Sequence, residues 1–128
     1  MPRHQRVQRF GLFVALAACA LGSTALANGV PSVIDPPFVK TASPSVGVKA
    51  GSYRGAWTGD PTSYRVQWVR CDADGTSNCS DITAYNSNSG AYTPTSADAN
   101  HTRRVQVIAT NANGDSLPAV SSPSGVVT

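Results

Sequence analysis

No glutamate occurs in this chain, and all seven of its acids are aspartates. That excludes an EF-hand, which needs a late bidentate glutamate. Cysteine is scarce at three, and no C-x2-C pair is present. A dithiol redox centre and a ribbon-type zinc site therefore lack their signature. Histidine occurs twice, at His4 and His101. No G-x-S-x-G or comparable element supports a hydrolase triad around His101. No apolar run approaches the roughly 18 residues of a spanning helix. A sustained helical period is missing as well, and so is any internal repeat.

What is there begins with a targeting pattern. Arg3, Arg6 and Arg9 form a cationic start, residues 10–21 are apolar, and Ala25-Leu26-Ala27 offers small residues to a signal peptidase. This order predicts a secretory signal peptide over 1–27 and a secreted product. A second cleavage reading competes with it. Leu16-Ala17-Ala18-Cys19 resembles a bacterial lipobox, in which Cys19 would carry lipid and tether the chain to a membrane surface. The apolar run continues past Cys19, which favours cleavage after Ala27.

Removing 1–27 changes the charge balance. Seven basic residues remain (Lys40, Lys49, Arg54, Arg65, Arg70, Arg103, Arg104) against seven aspartates. The pI near 9.0 thus reflects the leader. It gives no warrant for a nucleic-acid partner. About 100 residues are left, enough for one domain with a modest core. Residues 28–36, with Pro31 and Pro36 and a third proline following at 37, read as a linker, and the domain is expected over 37–128.

Within that span the strand signals are short and separated by turn residues. Strands are expected at 38–41, 48–53, 64–70, 80–85, 91–93, 104–110 and 117–122, with Val126-Val127 closing the chain. Tyr64, Val66 and Trp68 alternate with Arg65 and Gln67, giving one apolar and one wet face. Val105, Val107 and Ala109 alternate with Arg104, Gln106 and Thr110 in the same way. Asn113-Gly114 is a strong hairpin signal.

Cys71 ends one of these strands and Cys79 opens the next. A hairpin would set them facing across its base, within reach of a disulfide in an oxidising compartment. Zinc needs about four ligands, and Cys71, Cys79 and His101 supply too few. The intervening Asp72-Ala73-Asp74-Gly75 has its glycine too early for an EF-hand and is ordinary turn chemistry.

The ordered set of Gly55-Ala56-Trp57-Thr58-Gly59, Gln67-Trp68, Arg70-Cys71-Asp72, Tyr92, Ala97-Asp98 and Ala109-Thr110-Asn111 resembles a known family. It is similar to the immunoglobulin-like modules of secreted and cell-surface proteins in Gram-positive, especially actinobacterial, species. The resemblance runs through most of 37–128. It implies an all-β fold: an immunoglobulin-like or fibronectin-III-like antiparallel β-sandwich of about seven strands with a tryptophan-centred core. It implies extracellular display and no catalytic residues or cofactor. The family usually has an apolar residue where this chain has Ala50, Pro94 and Arg103, so a thinner core is expected.

A non-enzymatic module for binding or adhesion follows, with a cell-wall or extracellular polysaccharide, or a surface protein, as partner. Two surfaces are candidates. One is the wet face carrying Arg65, Gln67, Arg104 and Gln106. The other is aromatic: Tyr53, Trp57 and Tyr85 would stack on sugar rings if exposed. The competing reading is a structural envelope or matrix spacer that self-associates through edge strands near Phe38 or Val120.

Overall fold

The computed structural model describes residues 29–87 and 90–128. The signal-peptide and lipobox readings, Cys19 included, lie outside the described residues. Among the described residues there are ten strands: β1 (Val33–Asp35), β2 (Phe38–Val39), β3 (Ala50–Tyr53), β4 (Ala56–Trp57), β5 (Ser63–Cys71), β6 (Ser80–Asp81), β7 (Ala91–Tyr92), β8 (Thr102–Asn111), β9 (Gly114–Asp115) and β10 (Ala119–Val120). Every pairing among them is antiparallel. One sheet runs β10-β8-β5-β6, with β9 also on β8; a second runs β2-β3-β7; β1 and β4 form a two-stranded ribbon.

The β5–β8 pair is the backbone of the domain. Its register runs without interruption from Ser63↔Thr110 to Cys71↔Thr102. That register sets Val66 opposite Val107 and Trp68 opposite Val105. Directly opposed side chains share a face, so the four make one apolar patch. All four are buried, and Val39 of β2 and Tyr92 of β7 pack against them from the other sheet. The Trp68 and Tyr92 rings meet at 5.8 Å between centroids. The fold is thus a largely antiparallel, sheet-rich unit whose two larger sheets share one core.

Several expectations change. Residues 28–36 read as a linker because of their prolines, yet β1 lies among them. Val33 pairs with Trp57 and Asp35 with Ala56. Prolines at 31, 36 and 37 flank that strand, where their missing N–H groups cost no ladder bond. Residues 80–85 give only the two-residue β6. Residues 126–127 form no strand, although Val127 is fully buried and its N–H donates to the His101 carbonyl at 2.8 Å. The tight turn after β8 is Ala112-Asn113, one residue earlier than Asn113-Gly114, because Asn111 pairs with Gly114.

The stretch 117–122 was expected as a full strand, but β10 has two residues. Pro118 and Pro123 lack the donors a continuous ladder needs. Serines beside them take over both halves of the ladder. Ser116, Ser121 and Ser124 each donate their N–H to a β8 carbonyl at 2.8–2.9 Å, on Ala109, Val105 and Arg103. Each hydroxyl then accepts the N–H of that same β8 residue at 2.9–3.0 Å. The edge amides of β8 are satisfied without a long partner strand.

The disulfide between Cys71 and Cys79 is formed. Arg70 pairs with Ser80 and Val69 with Asp81, so the cysteines continue the β5–β6 register by one step. Closing this short loop contributes about 2–3 kcal/mol by its effect on the unfolded chain. Denaturant unfolding with and without reductant should show a loss of that size; coincident curves would remove the staple role. The loop itself is tied down by Asp74. The Ser77 hydroxyl and the N–H groups of Ser77 and Thr76 donate to its carboxylate, holding its pKa at about 2. Those oxygens are committed to turn chemistry.

Candidate functional site

The wet face of β5 and β8 is more closed than alternation suggests. Gln67 is buried, and its cross-strand neighbour is Gln106. The Tyr85 hydroxyl donates to the Gln106 Oε1 at 2.7 Å. Burial, with the Asp81 charge second, pushes the Tyr85 pKa up. Arg65 forms an ion pair with Asp115, which also accepts the Thr110 hydroxyl at 2.6 Å. Arg104 is half-buried, and its Nε has no hydrogen-bond partner. Arg65 and Gln106 are each partnered and Gln67 is buried, so these three offer few free groups to a ligand.

The three aromatics are not brought together. Tyr85 lies on that outer face. Trp57 packs on the core, and its indole N–H donates to the Arg54 carbonyl at 2.8 Å. Its remaining surface helps line an apolar cleft of about 400 Å³ with Val30, Val33 and Leu117. Tyr53 stands elsewhere, its ring 4.8 Å from that of Phe38.

Tyr53 does line the larger concavity, a cleft of about 550 Å³ between β3 and the start of β5. The sequence builds it locally. β3 runs through Ser52 and Tyr53 and stops at Arg54-Gly55. Gly55 has φ +89°, and a Cβ there would sit 2.6 Å from the Asp35 carbonyl oxygen. Only glycine turns the chain here. The turn, held by the Trp57 indole, puts the Arg54 guanidinium 4.5 Å from the centroid of the Tyr64 ring. On the other side Lys40 donates its N–H to the Gly51 carbonyl at 2.9 Å, and its stem lies over that glycine. The Ser52 hydroxyl donates to the Gly90 carbonyl at 2.9 Å. Val66 forms part of the lining.

The cleft joins two phenols, serine hydroxyls and two cations, and no carboxylate lines it. This volume lies in the range of small-ligand sites, with polar groups converging on a partly apolar wall. Of its residues, sequence reasoning singled out Tyr53 and assigned Tyr64 to the core. It missed Lys40, Ser52 and Arg54, because nothing in a single strand's pattern says that Gly55 will fold Arg54 over Tyr64. His101, the other residue weighed for chemistry, has its Nδ1 2.8 Å from the Ala99 carbonyl in its own loop. Among the described residues, no helix is long and apolar enough to cross a membrane. No protein-family model matches the chain, and a search of curated proteins returned no match.

Proposed function

We propose that the chain is a secreted or cell-surface, non-enzymatic immunoglobulin-like module that binds a glycan in the Tyr53 cleft. The observation that carries this reading is the cleft itself: Tyr53 and Tyr64 beside the Ser52 hydroxyl and two cationic side chains. Tyrosines and short polar groups together suit a polyhydroxylated ligand, which has both apolar ring faces and hydroxyls to satisfy.

The immunoglobulin-like part of the reading is supported by the strand order. With β1, β4 and β9 set aside as additions, the first, second and fifth strands share one sheet. The third, fourth, sixth and seventh share the other. This is the partition of immunoglobulin-like sandwiches with an added edge strand beside the third. The tryptophan of the third strand, Trp68, is wholly buried, which is in keeping with the buried third-strand tryptophan of antibody-type domains. The targeting pattern at 1–27 and the disulfide support export.

The test is retention of the oxidised protein on isolated cell envelope and on a panel of insoluble polysaccharides. Saturable retention is expected, falling about tenfold or more in Tyr53→Ala with the circular dichroism spectrum unchanged, and persisting in Tyr85→Ala. Retention lost in Tyr85→Ala and kept in Tyr53→Ala would move the site to the outer face. Retention on envelope protein alone would make the module a protein binder.

A further inference from the structure

The charge of the cleft carries the reading one step further. From residue 28 onward the chain balances seven basic residues against seven aspartates. Its cations are nonetheless distributed unevenly in their pairing. Arg65 is paired with Asp115 and Arg70 with Asp98. Arg103 is buried against the rings of Trp68 and Tyr92. Lys40, Lys49, Arg54 and Arg104 form no ion pair among the described residues, and of these four Lys40 and Arg54 stand together at one cleft.

Arg54 is held there by a ring and not by an acid. A cation–π contact holds the guanidinium at the ring, and no acid takes up its N–H donors among the described residues. Those donors match carboxylate or phosphate oxygens in a bidentate fork. Lys40 adds a compact second charge on a stem laid across Gly51. Ser52, Ser87 and Tyr53 supply neutral groups between them. A neutral sugar would leave both charges without a counter-charge, whereas an anionic one would meet both.

We infer that the ligand is an acidic polysaccharide, whose carboxylate or phosphate groups are gripped by Arg54 and Lys40 while its sugar or polyol backbone lies against Tyr53. This inference rests on the glycan reading of the cleft and narrows it to one charge class.

The test measures binding of the oxidised protein to soluble polygalacturonate, to poly(glycerol phosphate) and to dextran, at low and high salt. Binding to at least one acidic polymer is expected, weakening with salt. Dextran should bind at least tenfold more weakly. Lys40→Gln combined with Arg54→Gln should weaken acidic binding about tenfold or more, since charge-assisted bonds are the stronger ones. Lys49→Gln, an exposed charge outside the cleft, should leave it unchanged. Binding to one acidic polymer alone would support the inference and say which anion is read. Dextran bound as tightly as the acidic polymers would overturn the charge class and leave the glycan reading standing. Equal weakening by Lys49→Gln would reduce the effect to general attraction and overturn the assignment to Arg54 and Lys40. No binding to any of the three, with none to the envelope polysaccharides, would overturn both.

Discussion

Replacing Asp98 with alanine is expected to lower the unfolding free energy by about 3–5 kcal/mol. Asp98 is fully buried and closes the short 3-10 turn Ser96–Asp98. Its carboxylate accepts the Thr95 N–H and the Tyr92 hydroxyl, each at 2.8 Å, and the Arg70 Nη1 at 3.2 Å. Burial is the largest single influence on its pKa and opposes ionisation. The Thr95 N–H, the Tyr92 hydroxyl and the charges of Arg70 and Arg103 together outweigh it and hold the carboxyl below its ordinary value. The sign of the pH dependence follows. A carboxyl with a depressed folded pKa stabilises fully above its unfolded value near 3.8, and that stabilisation is lost as pH falls through the folded pKa. Asp74 and Asp115 are depressed too, so the wild-type acid limb sums several groups. The difference between wild type and Asp98→Asn isolates one of them. It should be constant above about pH 5 and shrink below it. Equilibrium denaturation across that range checks both the size and the slope. A loss under 1 kcal/mol would mean that Asp98 is not the counter-charge of this core.

Arg103→Leu should act in the opposite direction, raising stability by about 1–4 kcal/mol. Arg103 is on the core face of β8, wholly buried, and its Nε, Nη1 and Nη2 have no hydrogen-bond partner. Burial lowers its pKa, only partly offset by the charge of Asp98. The faces of Trp68 and Tyr92, at 5.5 and 5.2 Å, recover some of the desolvation cost. An apolar side chain removes the whole penalty, and Asp98 keeps Thr95, Tyr92 and Arg70. For a domain of this size each kcal/mol shifts the Tm by roughly 4–8 °C, so thermal unfolding resolves the change. A fall in Tm would show that the guanidinium is satisfied in solution. The two substitutions should also couple. Asp98→Ala should cost less in the Arg103→Leu background, because the stranded positive charge is then gone.

Part of this was legible beforehand. The alternation of Tyr64, Val66 and Trp68, and of Val105, Val107 and Ala109, identified the two strands that carry the core. Cys71 and Cys79 identified the hairpin joining β5 to β6. Those signals are local, and the register between β5 and β8 then follows from burying both apolar faces together. The departures from local pattern were less legible. Proline content argued against order before residue 37, yet β1 fits between the prolines. Pro118 and Pro123 broke the last strand, and the serines that replace its ladder look like any other surface serines in sequence. Arg103 stood out only as a departure from the resemblance, which usually has an apolar residue there, and its ring neighbours come from two different sheets. The cleft was the least legible feature. Its cations come from β2's end and from the β3–β4 turn, and only the positive φ at Gly55 brings Arg54 over Tyr64.

The most direct test of the cleft as the binding site is an amide chemical-shift titration of the 15N-labelled, oxidised protein with a galacturonate oligomer. Saturable shifts confined to Lys40, to Ser52, Tyr53, Arg54 and Gly55, and to Tyr64 are the expected result. Shifts clustering instead around Trp57 and Leu117, or across Gln67, Tyr85 and Gln106, would contradict it.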